Sequence, residues 1–260
     1  MRNTAKFYAQ FALFSLKEEF SSFSALLGGI LLYPCFIWIF SKLWLGLNNN
    51  ISTLSSDSLY LYIGLTEILF MTGLREPIID KGSTDFSLSF IRPRSWPVYT
   101  SVSIYSKTLC RRLLYLIIFL FITPFFTGNL FFSILVAMRF LLFLPLITML
   151  DILYSFLLTA IQIRFFTIKN FRMLIGKLFL IFGGVLAPLS DLSPFWQNIF
   201  IKTPFSDLIF QPCYFSIKGN FYNTTPLEWL FRILIQLGCL IGLSYWIYVC
   251  SRRHYHNYGG

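Results

Sequence analysis

Four ionisable side chains fall inside apolar stretches of this chain: Glu67, Arg139, Asp151 and Arg232. A charge at bilayer depth is costly, and where one persists it faces a partner, a water-lined path or a bundle interior. One arrangement pairs Glu67 or Asp151 with Arg139 or Arg232 across a helical bundle. In the other, the two arginines sit a turn or two inside their segments and extend their heads to the outer headgroup layer. Other chemistry finds little material. Gly176-Lys177 has no Gly-rich loop before it and no Ser or Thr after it, so no Walker A phosphate cradle is present. The histidines are His254 and His256 alone, which removes HExxH zinc chemistry and most imidazole catalysis. No GxSxG elbow occurs, and no two carboxylates are spaced for acid–base work. Cys35, Cys110, Cys213, Cys239 and Cys250 show no metal or disulfide spacing and read as small hydrophobes. The residues point away from an enzyme, and from a cofactor or metal held by this chain.

The elements that must position those charges are membrane helices. Of 260 residues, 56% are hydrophobic and only 12% charged, with a mean hydropathy of +0.68. Soluble domains carry about a quarter charged residues. The net charge of +10, from 21 Lys and Arg against 11 Asp and Glu, would suggest nucleic acid in a soluble chain. Here the cations cluster between apolar segments, so they report orientation in a membrane and not a nucleic-acid partner.

Residues 1–21 read as an amphipathic interfacial helix. Phe7, Phe11 and Phe14 recur at helical spacing, with Lys6, Gln10 and Lys17 between them. The alternative is a polar lead-in to the first span. Lys17, Glu18 and Glu19 interrupt any signal-peptide core. Residues 22–250 then form the membrane domain, and 251–260 a tail. Spans are expected at about 22–46, 59–73, 113–126, 130–166, 174–186 and 227–250. The fourth is too long for one plain crossing at about 1.5 Å per residue and reads as one long helix, kinked or protruding. Thr127-Gly-Asn129 is a tight turn. Gly238 and Gly242 form a GxxxG, a pattern common by chance in apolar helices.

The stretch from Gly183 to Gly219 has a different character. Gly183, Gly184, Pro188, Pro194, Pro204, Pro212 and Gly219 break it into short apolar pieces. Broken helices cannot face lipid and persist only when packed on protein or lining a cavity. Two readings follow: a re-entrant hairpin entering from one membrane face, or a membrane helix followed by an ordinary ordered loop.

Basic residues concentrate at the N-terminus, in 74–112, in 164–177 and in the tail. The intervening segments at 47–58, 127–129 and 187–226 hold only Lys202 and Lys218. The positive-inside rule therefore predicts about six spans with both termini cytoplasmic and the broken element on the outer face.

In this order the residues resemble a family, the ABC-2 type permeases, and in particular their six-span bacterial group. The amphipathic N-terminal helix leading into the first span matches the family's connecting helix. Ile79-Asp-Lys-Gly-Ser-Thr-Asp-Phe-Ser-Leu-Ser-Phe-Ile-Arg-Pro93 resembles its G…D…L.RP stretch. Gly183–Gly219 resembles its run of Gly, Pro-Leu, Pro, Gln, Pro-Phe, Pro and Gly between the fifth and sixth spans. The resemblance covers essentially the whole length. It implies an all-α membrane fold of type V exporter architecture in the bacterial cytoplasmic membrane. It also implies a second permease copy or a related permease, and two copies of a cytoplasmic ABC ATPase that binds ATP and Mg. Asp85, Arg92, Pro93 and Arg94, with Arg164, Lys169 and Arg172 of the next cytoplasmic turn, would then sit against the ATPase. Gly183, Gly184, Pro188, Leu189, Pro194, Pro204 and Phe205 would help close or line the exit. The cargo would be amphiphilic, lipid-like or peptidic, a class that suits spans rich in Phe (31 in all) and Tyr (14). A non-transporting membrane scaffold for an ATPase complex and an intramembrane transferase acting on lipids are the alternatives.

Overall fold

The computed structural model describes residues 2–21, 23–47, 54–73, 96–164 and 169–255, and all regular structure among them is helical. The long helices are α1 (Arg2–Ser21), α2 (Phe23–Leu47), α3 (Ser56–Thr72), α4 (Trp96–Thr127) and α5 (Leu130–Arg164). After α6 (Lys169–Phe182) comes a 3-10 turn at Leu189–Asp191, then the short α7 (Pro194–Phe200), α8 (Pro204–Leu208) and α9 (Phe210–Lys218). The last helix is α10 (Pro226–Tyr255).

The bundle is built round α3. Leu59, Leu61, Tyr62, Ile63, Leu65, Ile68 and Leu69 are all buried, with Thr66 and Glu67 among them, so this helix is enclosed on every side. Such a helix belongs inside a bundle, and α2, α4 and α9 surround it. Tyr33 of α2 donates to the Gly64 carbonyl at 2.9 Å. The α4–α5 hairpin forms the other half, and α9 and α10 pack on α5. Its turn is local chemistry: Gly128 takes φ +66°, and Asn129 Oδ1 accepts the Phe132 N–H at 3.1 Å, an N-cap.

The exterior is apolar, and a minority of polar side chains is buried within a largely hydrophobic core. Thr66, Thr123, Ser133, Thr148 and Ser155 are buried, whereas Phe125 is 89% exposed and Phe131, Leu142 and Leu227 at least 76%. The buried hydroxyls need no outside partner. Thr123 donates to the Phe119 carbonyl at 2.8 Å and Thr148 to that of Leu144 at 2.6 Å. In α1, Ser15 and Glu19 face the protein, reaching Ser103 (2.8 Å) and Arg111 (2.9 Å) of α4. Leu13, Phe14 and Phe20 point outward. Ser101–Thr127, Leu130–Leu158 and Pro226–Trp246 are long and apolar enough to cross a bilayer, and Gly28–Trp44 and Met173–Phe182 are shorter apolar helices. Helices of that length, with apolar exteriors, support a helical membrane protein.

Three expected boundaries move. The third span does not begin at residue 113: the helix starts at Trp96, so Lys107, Arg111 and Arg112 lie within it and not in a loop. Charges at this density read as loop, yet Thr108, Arg112, Leu116 and Phe119 repeat at helical spacing on one buried face. The fifth helix stops at Phe182, not at residue 186, because Gly183 and Gly184 end it; its 14 residues fall short of the roughly 20 of a full crossing. The last helix runs through Tyr255 into the expected tail. The fourth is one continuous helix with Pro145 inside it, as its length predicts.

Candidate functional site

Two polar constructions stand out. The first is centred on Arg112, the largest fully buried side chain among the described residues. It comes from α4 and reaches Asp151 of α5 through Nη2 in a close salt bridge. Its Nη1 donates to Thr148 Oγ1 at 2.8 Å and its Nε to Thr72 Oγ1 at 3.2 Å. Three helices, α3, α4 and α5, are thus joined by one guanidinium with all its nitrogens engaged. A charge with no exposure persists only when paired and hydrogen-bonded in this way. Asp151 therefore pairs with Arg112, from the basic segment 74–112, and not with Arg139 or Arg232.

The second construction is the broken element between α6 and α10. Its breakers act where the sequence puts them. Gly184 has φ +73°, and its carbonyl accepts from Tyr62 at 2.6 Å. A Cβ on Gly183 would lie 2.3 Å from the Phe179 carbonyl oxygen, so only glycine fits at the helix end. Trp44 of α2 donates to the Leu186 carbonyl, and Pro188 and Leu189 are buried behind it. The α7, α8 and α10 helices all open with proline at the first helical position, whose missing N–H costs nothing there. Thr203 caps α8, accepting from the Ser206 N–H, and Thr225 caps α10 through the Glu228 N–H. Gly219 closes α9 in the left-handed conformation.

This element packs on protein. Ser206–Cys213 are buried without interruption, and α9 lies against α3 and α5. Phe205 is held among Phe179 (4.9 Å between centroids), Phe182 (6.2 Å) and Tyr154 (6.5 Å), which ties α8 to α5 and α6. Phe143 of α5 meets Phe215, Phe221 and Trp229 edge-on at 5.2, 6.0 and 5.3 Å. The α7 helix, with Pro194 at its start, is the exception: Phe195, Trp196 and Ile199 are exposed, while Gln197 turns inward to the Ser190 carbonyl at 3.0 Å and to Tyr222, and Phe200 packs on Phe182 at 4.6 Å. An exposed aromatic face on a short helix suits the headgroup layer.

The remaining charges divide differently from expectation. Arg232 does not extend to the headgroups. Its Nη2 lies 3.0 Å from Asp207 Oδ1, and its Nη1 donates to the Ile201 carbonyl at 3.2 Å. Asp207, 1% exposed, was missed in the sequence because it sits inside a motif read for its Pro-Phe pair. The available signal was its place in the first turn after a Thr-Pro start, where an acid is favoured. Arg139 abuts Gly219, whose added Cβ would stand 3.3 Å from Nη1. There the guanidinium faces the negative end of α9. Glu67 is buried on α3. Asp85, Arg92, Pro93 and Arg94 lie outside the described residues, and of Arg164, Lys169 and Arg172 only the helical backbone is described, at the end of α5 and the start of α6. Among the described residues no cluster of His, Cys, Asp and Glu could hold a metal.

Helix directions alternate along the chain. Tyr60 at the start of α3 stacks on Phe126 beside the Gly128 turn at 5.2 Å, and Trp44 near the end of α2 reaches Leu186 just after α6. No family model matches this chain, and no curated protein matches it.

Proposed function

We propose that this chain is the membrane subunit of an ATP-driven ABC exporter of the ABC-2 type, with about six spans in a bacterial cytoplasmic membrane. A separate cytoplasmic ATPase, in two copies, would bind and hydrolyse ATP with Mg. A second permease copy or a related permease would complete the path, and the cargo would be amphiphilic, lipid-like or peptidic.

The observation that carries this reading is the broken element from Gly183 to Gly219. It packs on α3 and α5, and its irregular backbone is covered by protein. Irregular backbone tolerated at that place is what a re-entrant seal requires. The orientation that puts it outside follows from the distribution of Lys and Arg. Gly183, Gly184, Pro188, Leu189, Pro194, Pro204 and Phe205 then belong to the outer gate. Asp85, Arg92, Pro93, Arg94, Arg164, Lys169 and Arg172 belong to the face that receives the ATPase's closure, and the Arg112–Asp151 network would make α4 and α5 move as one body. The closure would shift the balance between inward- and outward-facing states.

The test uses the full chain reconstituted in nanodiscs with its co-expressed ATPase. Arg92→Glu should leave insertion and folding intact, while lowering ATPase activity or dissociating the complex. Normal activity and normal assembly in that variant would overturn the coupling assignment.

A further inference from the structure

An open groove of about 580 Å³ lies between α4 and α5, within the range of about 300–1,000 Å³ that small-molecule sites occupy. Its polar lining comes from α4, as Ser101, Tyr105 and Ser106. The α5 helix contributes Leu142, Pro145, Leu146 and Met149, with Ile152 and Leu153 one turn further on. The two helices are joined by the Gly128 turn and run antiparallel, with Arg112 opposite Thr148 and Asp151. Ser101, Tyr105 and Ser106 are farther from that turn than Arg112, so they meet the Ile152–Leu153 end. The end nearer the turn is lined by α5 side chains alone, and all of them are apolar. The groove thus carries hydroxyls at one end and hydrocarbon at the other.

That polarity runs in the sense of one bilayer leaflet. The apolar span of α4 begins at Ser101, and that of α5 is Leu130–Leu158. Ser101 therefore marks the membrane boundary, and Leu142 and Pro145 fall near the middle of their span. From Leu142 to Leu153 the helix rises about 16 Å at about 1.5 Å per residue. One leaflet of a hydrocarbon core about 30 Å thick is about 15 Å deep, so the groove has the length of one lipid chain. Its polar end also asks for an acceptor. Tyr105, partly buried there, has no hydrogen-bond partner for its phenol among the described residues, and such a hydroxyl in apolar surroundings is stabilised by an acceptor. The Ser106 hydroxyl already donates to the Val102 carbonyl at 2.9 Å.

We propose that this groove is a binding site for one glycerophospholipid. One acyl chain lies along Leu142, Leu146 and Met149, and an ester or phosphate oxygen accepts the Tyr105 O–H. A hydrocarbon chain suits the apolar end because it brings no polar group there. An extended peptide would set unpaired N–H and C=O groups against the same side chains, at a cost for each. Exposed side chains elsewhere, such as Phe125 and Leu227, meet lipid only as surface, whereas the cavity and the phenol hold a lipid in one place. The site is a property of the chain alone and does not depend on the ATPase reading.

The test is photolabelling of the full chain in phosphatidylglycerol nanodiscs doped with a phosphatidylglycerol that carries a diazirine midway along one acyl chain. Peptide mapping should place the label on Leu142, Leu146 and Met149 in preference to Phe125 and Leu227, which are more exposed. Native mass spectrometry in mild detergent should find one phospholipid retained per chain. Tyr105→Phe keeps the ring, and so the fold, and should lower that retention roughly fivefold, the worth of one hydrogen bond. Leu146→Trp fills the groove and should abolish both the retention and the label at Met149. Labelling of wild type that simply follows exposure would overturn the proposal, since it means bulk lipid only. Retention unchanged in either variant would overturn it too. So would capture of a second copy of the chain, in place of phospholipid, by a photoreactive residue introduced at Met149.

Discussion

Replacing Arg112 by Ala removes one partner of a buried ion pair and leaves the other in place. Arg112 is fully buried and the Asp151 side chain 2% exposed, so solvent screens neither. Breaking such a pair costs about 3–5 kcal/mol, because the remaining charge is buried without compensation. Two hydroxyls, on Thr72 and Thr148, also lose a donor, although both keep bonds to their own helix carbonyls. Asp151→Ala should cost a similar amount for the same reason. The two losses cannot add, since the second mutation removes the orphan the first creates. Arg112→Met with Asp151→Val should therefore recover most of the stability, as apolar replacements of buried pairs do. The assay is thermal unfolding in nanodiscs. Each single variant should melt on the order of 10 °C lower, and the double variant within a few degrees of wild type. Single variants that melt like wild type, or a double variant whose loss is the sum of both, would refute the argument that this network holds α3, α4 and α5 together.

Gly184→Ala should cost about 1–3 kcal/mol, since φ +73° is unfavourable for alanine and its Cβ would lie 2.8 Å from the Tyr62 hydroxyl. The melting temperature and the Tyr62 environment by near-UV dichroism check it, and an unchanged melt would contradict it. Phe205→Ala should cost about 2–3 kcal/mol by opening the ring cluster with Phe179, Phe182 and Tyr154, and faster proteolysis between α6 and α8 should accompany the lower melt. Glu19→Gln, by contrast, should change stability by less than about 1 kcal/mol, because Arg111 is 39% exposed. A shift of many degrees there would mean that α1 is anchored mainly by this pair.

What the sequence reveals follows from how local each signal is. Gly183, Gly184, Pro188, Pro194, Pro204 and Gly219 act on their own backbone, so the breaks are visible from the residues alone. The same holds for the turn at Gly128 and for the single long helix through Pro145. The partners of charges are not local. Asp151 meets Arg112 because α4 begins at Trp96, seventeen residues (96–112) before the expected span; charge density in 96–112 hides an amphipathic face that only packing makes evident. Arg232 meets Asp207 because α8 folds back under α10, a contact between residues 25 apart that no periodicity encodes. The outward face of α1, with Phe14 and Phe20 exposed and Ser15 and Glu19 inward, is readable as amphipathic. That its polar side would find α4 is not.

Affinity purification of the tagged full chain in mild detergent, followed by identification of what accompanies it, tests the transporter reading most directly. A stoichiometric ATPase carrying Walker motifs and no spans is the predicted result. A clean chain with no ATPase, under conditions that preserve other such complexes, would contradict it and return attention to the buried Glu67 and Asp151.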